Sequence, residues 1–176
     1  MGRDGVGGER MHVYCLFCQT QRCAVIARFI ESDLHCRAIA PKIIQRKWVG
    51  KTPFEVVHDY LPGYIFLYAE TPLENIHRYY KVDGILRCLS DRDHAFELYG
   101  DDLKFANMLY KMNGTIGILK TYQEGETVKL CKGPLAGFEG EIVRLDRRRG
   151  RCQVRFMFEH QEQMVWVGYE MMDEDS

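Results

Sequence analysis

The hydrophobic pattern changes period after Gly114, and this constrains the fold more than any other feature of the chain. Before that point two segments carry a helical repeat. Residues 22–31 place Val25, Ile26, Phe29 and Ile30 at helical spacing, and residues 101–112 place Phe105, Met108, Leu109 and Met112 at i, i+3, i+4 and i+7. Both predict amphipathic helices lying on a sheet. Between and around them, residues 11–19, 38–49, 54–60, 64–69 and 84–89 read as strands, with Gly50-Lys51-Thr52-Pro53 as one turn and Pro62-Gly63 as a tight corner. Thr71-Pro72-Leu73-Glu74 has the form of a capping box with proline at the first helical position, which predicts a short helix through Tyr80. This order predicts an α+β domain, its helices flanking a mainly antiparallel sheet.

After Gly114 the helical repeat is gone. Residues 115–123 have no amphipathic period and are expected to act as a linker. Residues 127–131, 141–145, 152–158 and 163–167 are short alternating runs separated by glycine or charge clusters, the pattern of a small all-β barrel. The predicted organisation is a flexible leader (1–10), an α+β domain (11–114), a linker (115–124), a β-barrel (125–170) and an acidic tail (171–176).

Charge and composition exclude several classes. Among 176 residues, 24 basic side chains nearly cancel 25 acidic ones, and 46% of the chain is hydrophobic, so it is no disordered acidic or polybasic tail. Neither part is basic on average: residues 1–115 carry 15 basic and 14 acidic side chains, and residues 116–176 carry 9 and 11. A general nucleic-acid coat is therefore excluded, whereas a local cluster is not, because charges act over about 8 Å at physiological salt. No apolar run approaches the roughly 20 residues of a membrane span, and the first ten residues lack the apolar core of a secretory signal. The expected location is the cytoplasm.

Seven irregularly spaced cysteines fit reduced thiols. Cys15 and Cys18 form a C-x-x-C, but in a strand residues three apart face opposite ways, and no second pair or nearby histidine pair completes a zinc set. The six histidines are scattered and no nucleophile, base and orienter are specified, so no enzyme is expected; a thiol oxidoreductase using Cys15 and Cys18 is the alternative of another class. No cofactor or metal is expected.

Residues 125–158 resemble the KOW motif of transcription and ribosomal proteins. The likeness rests on Gly125-Glu126-Thr127-Val128-Lys129-Leu130, the Lys132-Gly133-Pro134 loop, Gly137, Gly140 followed by Glu141-Ile142-Val143, and Val154-Arg155-Phe156. The earlier part resembles the N-terminal domain of NusG-type elongation factors, through Tyr60-Leu61-Pro62-Gly63-Tyr64-Ile65-Phe66-Leu67 and Val82-Asp83-Gly84-Ile85. The resemblance covers about residues 11–170. It implies a non-enzymatic factor whose N-terminal domain grips the clamp helices of RNA polymerase through Tyr14, Phe17, Tyr60, Leu61, Tyr64, Ile85 and Cys88, several of which also fit a plain core role. Where housekeeping members carry an Ile-Phe-Gly-Arg turn that docks on Rho or a ribosomal protein, this chain has Met157-Phe158-Glu159-His160. It therefore looks more like a specialised antitermination paralogue of the LoaP kind; a housekeeping NusG-type factor and a ribosome-assembly KOW protein are the alternatives.

Charge clusters supply the candidate nucleic-acid sites. Arg144, Arg147, Arg148, Arg149, Arg151 and Arg155 face a single acid, Asp146, with Lys129 and Lys132 nearby in the barrel. Arginine's planar fork contacts phosphate and stacks on bases, so this turn is the expected RNA site, against the alternative of a merely solvated loop. Lys42, Arg46, Lys47, Trp48 and Lys51 form a second patch that the resemblance aims at upstream or non-template DNA. The expected partners are thus RNA polymerase and a nascent RNA hairpin, with no membrane, and the chain is expected to be a monomer.

Overall fold

The computed structural model describes residues 10–89, 96–124, 127–130 and 142–172. The strands are β1 (His12–Cys18), β2 (Arg37–Ile39), β3 (Lys42–Val49), β4 (Thr52–Asp59), β5 (Tyr64–Ala69), β6 (Ile85–Cys88), β7 (Thr115–Ile116), β8 (Leu119–Glu124), β9 (Thr127–Leu130), β10 (Ile142–Asp146), β11 (Arg151–Phe158) and β12 (Gln161–Met171), and the α-helices are α1 (Cys23–Leu34) and α2 (Gly100–Lys111). The chain divides into two compact units, Met1–Ile39 with Gly63–Leu98 and Ala40–Pro62 with Tyr99–Ser176. That division does not follow chain order: the β3–β4 hairpin and α2 group with the C-terminal strands rather than with the rest of residues 11–114.

The first unit is an α+β layer. Its sheet runs β2-β5-β1-β6, and every pairing is antiparallel. α1 covers one face, where Ile26, Ala27 and Ile30 pack with Tyr14, Leu16, Ile65 and Leu67. The helical spacing therefore holds, but only half of its apolar residues point inward: Val25 is 64% exposed and Phe29 49%. β1 shows why it reads as one unbroken apolar run. Val13, Tyr14, Cys15 and Leu16 are all buried, so both faces of the strand are covered.

Two glycines mark corners that need left-handed backbone. Gly63 has φ +96° and lies so close to the Phe17 ring and the Cys18 carbonyl that a Cβ would meet each at 2.8 Å; its own carbonyl accepts the Cys18 N–H at 2.7 Å. Gly84 has φ +98°, and its carbonyl accepts the Gln19 N–H.

The capping-box helix does not form as expected. Residues 71–75 are irregular, and a 3₁₀ helix spans Ile76–Lys81 without a side-chain cap. The Leu73 amide, an N–H of the expected first turn, donates to the Tyr14 hydroxyl of β1 at 3.0 Å. This tertiary bond ties the segment to the sheet where the box would have started a helix.

The second unit holds two sheets, β4-β3-β7 and β10-β11-β12-β8-β9. The strand expected over residues 38–49 is broken at Ala40-Pro41, and the turn of the following hairpin is shorter than expected. Only Gly50 and Lys51 form it, while Thr52 and Pro53 pair with Val49 and Trp48. Pro53 is tolerated because β4 is an edge strand.

Residues 115–124, expected to be a linker, are paired. β7 runs parallel to β3, and β8 runs parallel to β12 and antiparallel to β9. The amphipathic period was hidden by Thr121, which is fully buried and donates its hydroxyl to the Glu170 carbonyl at 3.1 Å. β11 alternates cleanly, with Cys152, Val154, Phe156 and Phe158 buried. Phe105 of α2 is fully buried too, its ring 5.8 Å from Phe156, 5.4 Å from Phe158 and 6.3 Å from Tyr60. Residues 131–141, which carry much of the resemblance to the KOW motif, lie outside the described residues.

All six described cysteines are buried, and none is in a disulfide. Burial pushes the thiols of Cys18 and Cys88 up to about 12 and those of Cys36 and Cys152 to about 11. Unfolded thiols ionise near pH 8.5. The native chain therefore keeps protons that the unfolded chain loses between about pH 8.5 and 11. Stability is fully present below that window and falls through it, by about 1.4 kcal/mol per pH unit for each such thiol. Urea midpoints under reducing conditions are expected to drop between pH 7.5 and 10; an unchanged midpoint would show that these thiols are accessible.

Candidate nucleic-acid interface

The arginine cluster is built on the β10–β11 hairpin. Arg147, Arg148 and Arg149 wind into one 3₁₀ turn, closed by Gly150 in the left-handed region at φ +58°. Asp146 caps it. Its carboxylate accepts the Arg149 N–H at 3.2 Å and the Arg151 Nε–H at 3.1 Å. Desolvation opposes the Asp146 charge, but these hydrogen bonds and the two guanidinium charges hold its carboxyl below the usual carboxylate range. The one acid of the cluster is thus ionised and occupied. Arg147, Arg148 and Arg149 are exposed, and no ion pair to their guanidinium groups occurs among the described residues.

The sheet face beside the turn adds a residue that sequence reasoning missed. In the ladder, Arg144 lies opposite Gln153, and Gln153 lies opposite Trp166 of β12, which places the three in one row. The Arg151 guanidinium stands 4.5 Å from the Trp166 ring centre and that of Arg144 stands 5.9 Å from it, both within cation–π range. Val165 and Val167 are buried and Trp166 is not, so the indole lies on the outward face. The signal was present in the sequence: a tryptophan between two inward-facing valines of an alternating strand must point away from the core. Arg155 lies on the same outward face and pairs with Glu162 at 3.5 Å. Lys129 belongs to β9, with its side chain outside the described residues, and Lys132 lies outside them entirely.

The second basic patch is smaller than expected. Arg46 is held between Glu170 at 2.9 Å and Glu55 at 3.6 Å, with its side chain only 18% exposed, and Lys42 pairs with Asp59. Arg46 is thus enclosed within the second unit, whereas Lys42 is an exposed cation in a surface ion pair. Lys47, Trp48 and Lys51 remain exposed at the hairpin tip. Trp48, a residue type that more often packs within a strand, is 46% exposed, though adjacent strand positions turn it and Lys47 to opposite faces.

The seven positions assigned to polymerase also separate. Tyr14, Ile85 and Cys88 are core, at 4%, 7% and 5% exposure, so the plain packing role applies to them and they offer no surface to a partner. In the first unit Phe17 and Tyr64 are partly exposed and form a cross-strand pair with ring centres 4.9 Å apart. Arg87 of the neighbouring strand sits 5.6 Å over the Phe17 ring, and Leu86 beside it is strongly exposed without any signal in the sequence. In the second unit, Leu61 takes a left-handed backbone conformation at φ +49°. Tyr60 packs against Phe105, and burial pushes its hydroxyl up to about 12.

Cys15 and Cys18 are both buried, and neither pairs in a disulfide. Among the described residues no His, Cys, Asp and Glu cluster could hold a metal ion, and no helix is long and apolar enough to cross a membrane.

With this geometry established, comparison with solved structures places the architecture in a class. The chain has a NusG-like fold. It is similar to NusG of Thermotoga maritima, in a structure solved to describe domain interaction in that protein, at 15% sequence identity, with 92% of this chain and 96% of that chain covered and a TM-score of 0.51. No family model matches the chain, and no curated protein matches it.

Proposed function

We propose that this chain is a transcription elongation and antitermination factor of the specialised kind, which docks on the clamp helices of RNA polymerase through its N-terminal part and is recruited by a nascent RNA hairpin. The observation that carries this reading is the capped turn of exposed arginines, whose only acid is already engaged, on a NusG-like fold. Neutral overall charge makes a local cluster of this kind selective rather than generally adhesive. The partly exposed aromatic pair Phe17 and Tyr64, with Arg87, supports polymerase docking by the first unit, since half-buried aromatics beside an arginine are common anchors at protein interfaces. The factor works in the cytoplasm as a monomer, without cofactor, metal or catalysis of its own. The second reading is a housekeeping NusG-type factor that needs no RNA element, which the NusG-like fold fits equally well.

An elongation assay with purified RNA polymerase, on templates with and without a leader hairpin before a terminator, tests the proposal. The chain is expected to raise read-through on the hairpin template. Phe17→Ala and Tyr64→Ala are expected to return read-through to the level without the protein while leaving RNA affinity within about twofold, since rim-free aromatic anchors carry about 2 kcal/mol or more. Equal read-through on both templates would favour the housekeeping reading, and none on either would overturn both.

A further inference from the structure

We propose that Trp166 is the base-stacking residue of the RNA site, so that the ligand read there is an unpaired nucleobase with its flanking phosphates rather than a continuous duplex. The inference rests on the RNA-binding reading above and specifies its ligand. Three features of the sheet support it. Trp166 is the aromatic side chain of an outward row that also holds Arg144 and Gln153, and its strand neighbours Val165 and Val167 supply the core side, so packing does not require an indole there.

The ring is also dressed by cations. Arg151 stands over it at 4.5 Å, its Nε–H fixed by Asp146, while Arg144 makes the looser approach at 5.9 Å and forms no ion pair among the described residues. A base can replace the looser contact, stacking on the indole while Arg144 turns to a phosphate.

The third feature is register. Asp146 pairs with Arg151, so the Arg147–Arg149 turn begins directly after the ladder partner of the stacked arginine and is separated from that arginine only by Gly150, which sets phosphate contacts beside the ring. In an A-form stem the bases are stacked inside and their major-groove edges lie deep, so a flat ring on a sheet face can engage only a splayed loop base.

The full chain in a Trp48→Phe background, where Trp166 is the sole tryptophan, is titrated with a short oligouridylate, with a hairpin bearing an oligouridine loop, and with the same stem as a blunt duplex. Binding of the oligouridylate and the hairpin is expected to quench Trp166 fluorescence. Trp166→Ala is expected to weaken hairpin binding roughly 5- to 150-fold at an unchanged salt slope, and Trp166→Phe to recover most of it; an unchanged urea midpoint separates this from misfolding. Hairpin binding without quenching and insensitive to Trp166→Ala, or a duplex bound as tightly as the hairpin, would overturn the stacking inference and leave RNA binding by the arginine turn standing. Failure of the wild-type chain to bind any of the three RNAs would overturn the RNA-binding reading itself.

Discussion

Replacing Arg147, Arg148 and Arg149 together by glutamate is expected to abolish RNA-hairpin binding at physiological salt while leaving the fold intact. Each guanidinium that neutralises a phosphate releases a counterion, so losing three contacts lowers the slope of log affinity against log salt by about two to three units. The new carboxylates add repulsion where attraction was. The fold is spared because main-chain and capping contacts hold the turn: Gly150 N–H donates to the Arg147 carbonyl, and Arg149 N–H donates to Asp146. The three side chains point to solvent and make no described ion pair, so circular dichroism and the urea midpoint should hardly change. Unchanged affinity across a salt titration would exclude this turn as the RNA site.

The largest effect on stability is expected from Phe105→Ala. Phe105 is fully buried among Tyr60, Phe156 and Phe158, and truncating a core phenylalanine costs about 3–5 kcal/mol in lost burial and residual cavity. The loss falls on α2, the Tyr60 corner and β11 together, because one ring supports all three. Urea unfolding followed by far-UV circular dichroism checks the size. A cost below about 1 kcal/mol would mean that the second unit closes without this ring.

That helix shows where sequence reading succeeds and where it stops. Phe105, Met108, Leu109 and Met112 mark a stripe by helical period alone, and the structure buries the first three and leaves Met112 half-buried at the C-cap. Which strands the stripe would meet was not legible, since period says nothing about partners. The same limit explains residues 115–124: a buried threonine at the centre of β8 erased the alternation, and its hydroxyl is satisfied only by a strand some fifty residues away, at Glu170.

The site was legible by charge and not by register. Charge counting found the arginine turn but could not distinguish Arg46, tied between two carboxylates, from Lys47, which stands exposed one residue later. Trp166 needed only the alternation of β12 to be placed on the outer face, yet its meeting with Arg144 and Arg151 depends on the pairing of three strands. Resemblance carried over seven polymerase positions by motif, and burial separates Tyr14, Ile85 and Cys88 from the partly exposed pair Phe17 and Tyr64, because a motif marks shared fold as readily as shared contact.

The strand order β10-β11-β12-β8-β9 sets a schedule for synthesis. β12 is the last described strand to leave the ribosome, and it is the central one, holding β11 on one side and β8 on the other. Until residues 161–171 emerge, the β8–β9 and β10–β11 hairpins are separate pieces with open edges and no shared core. The first unit's sheet needs nothing beyond β6 and can pair much earlier. A nascent chain of this kind therefore carries a finished N-terminal sheet while its arginine hairpin still waits for the strand that bears Trp166, so stalling translation before β12 should leave unpaired strands open to chaperones and proteases.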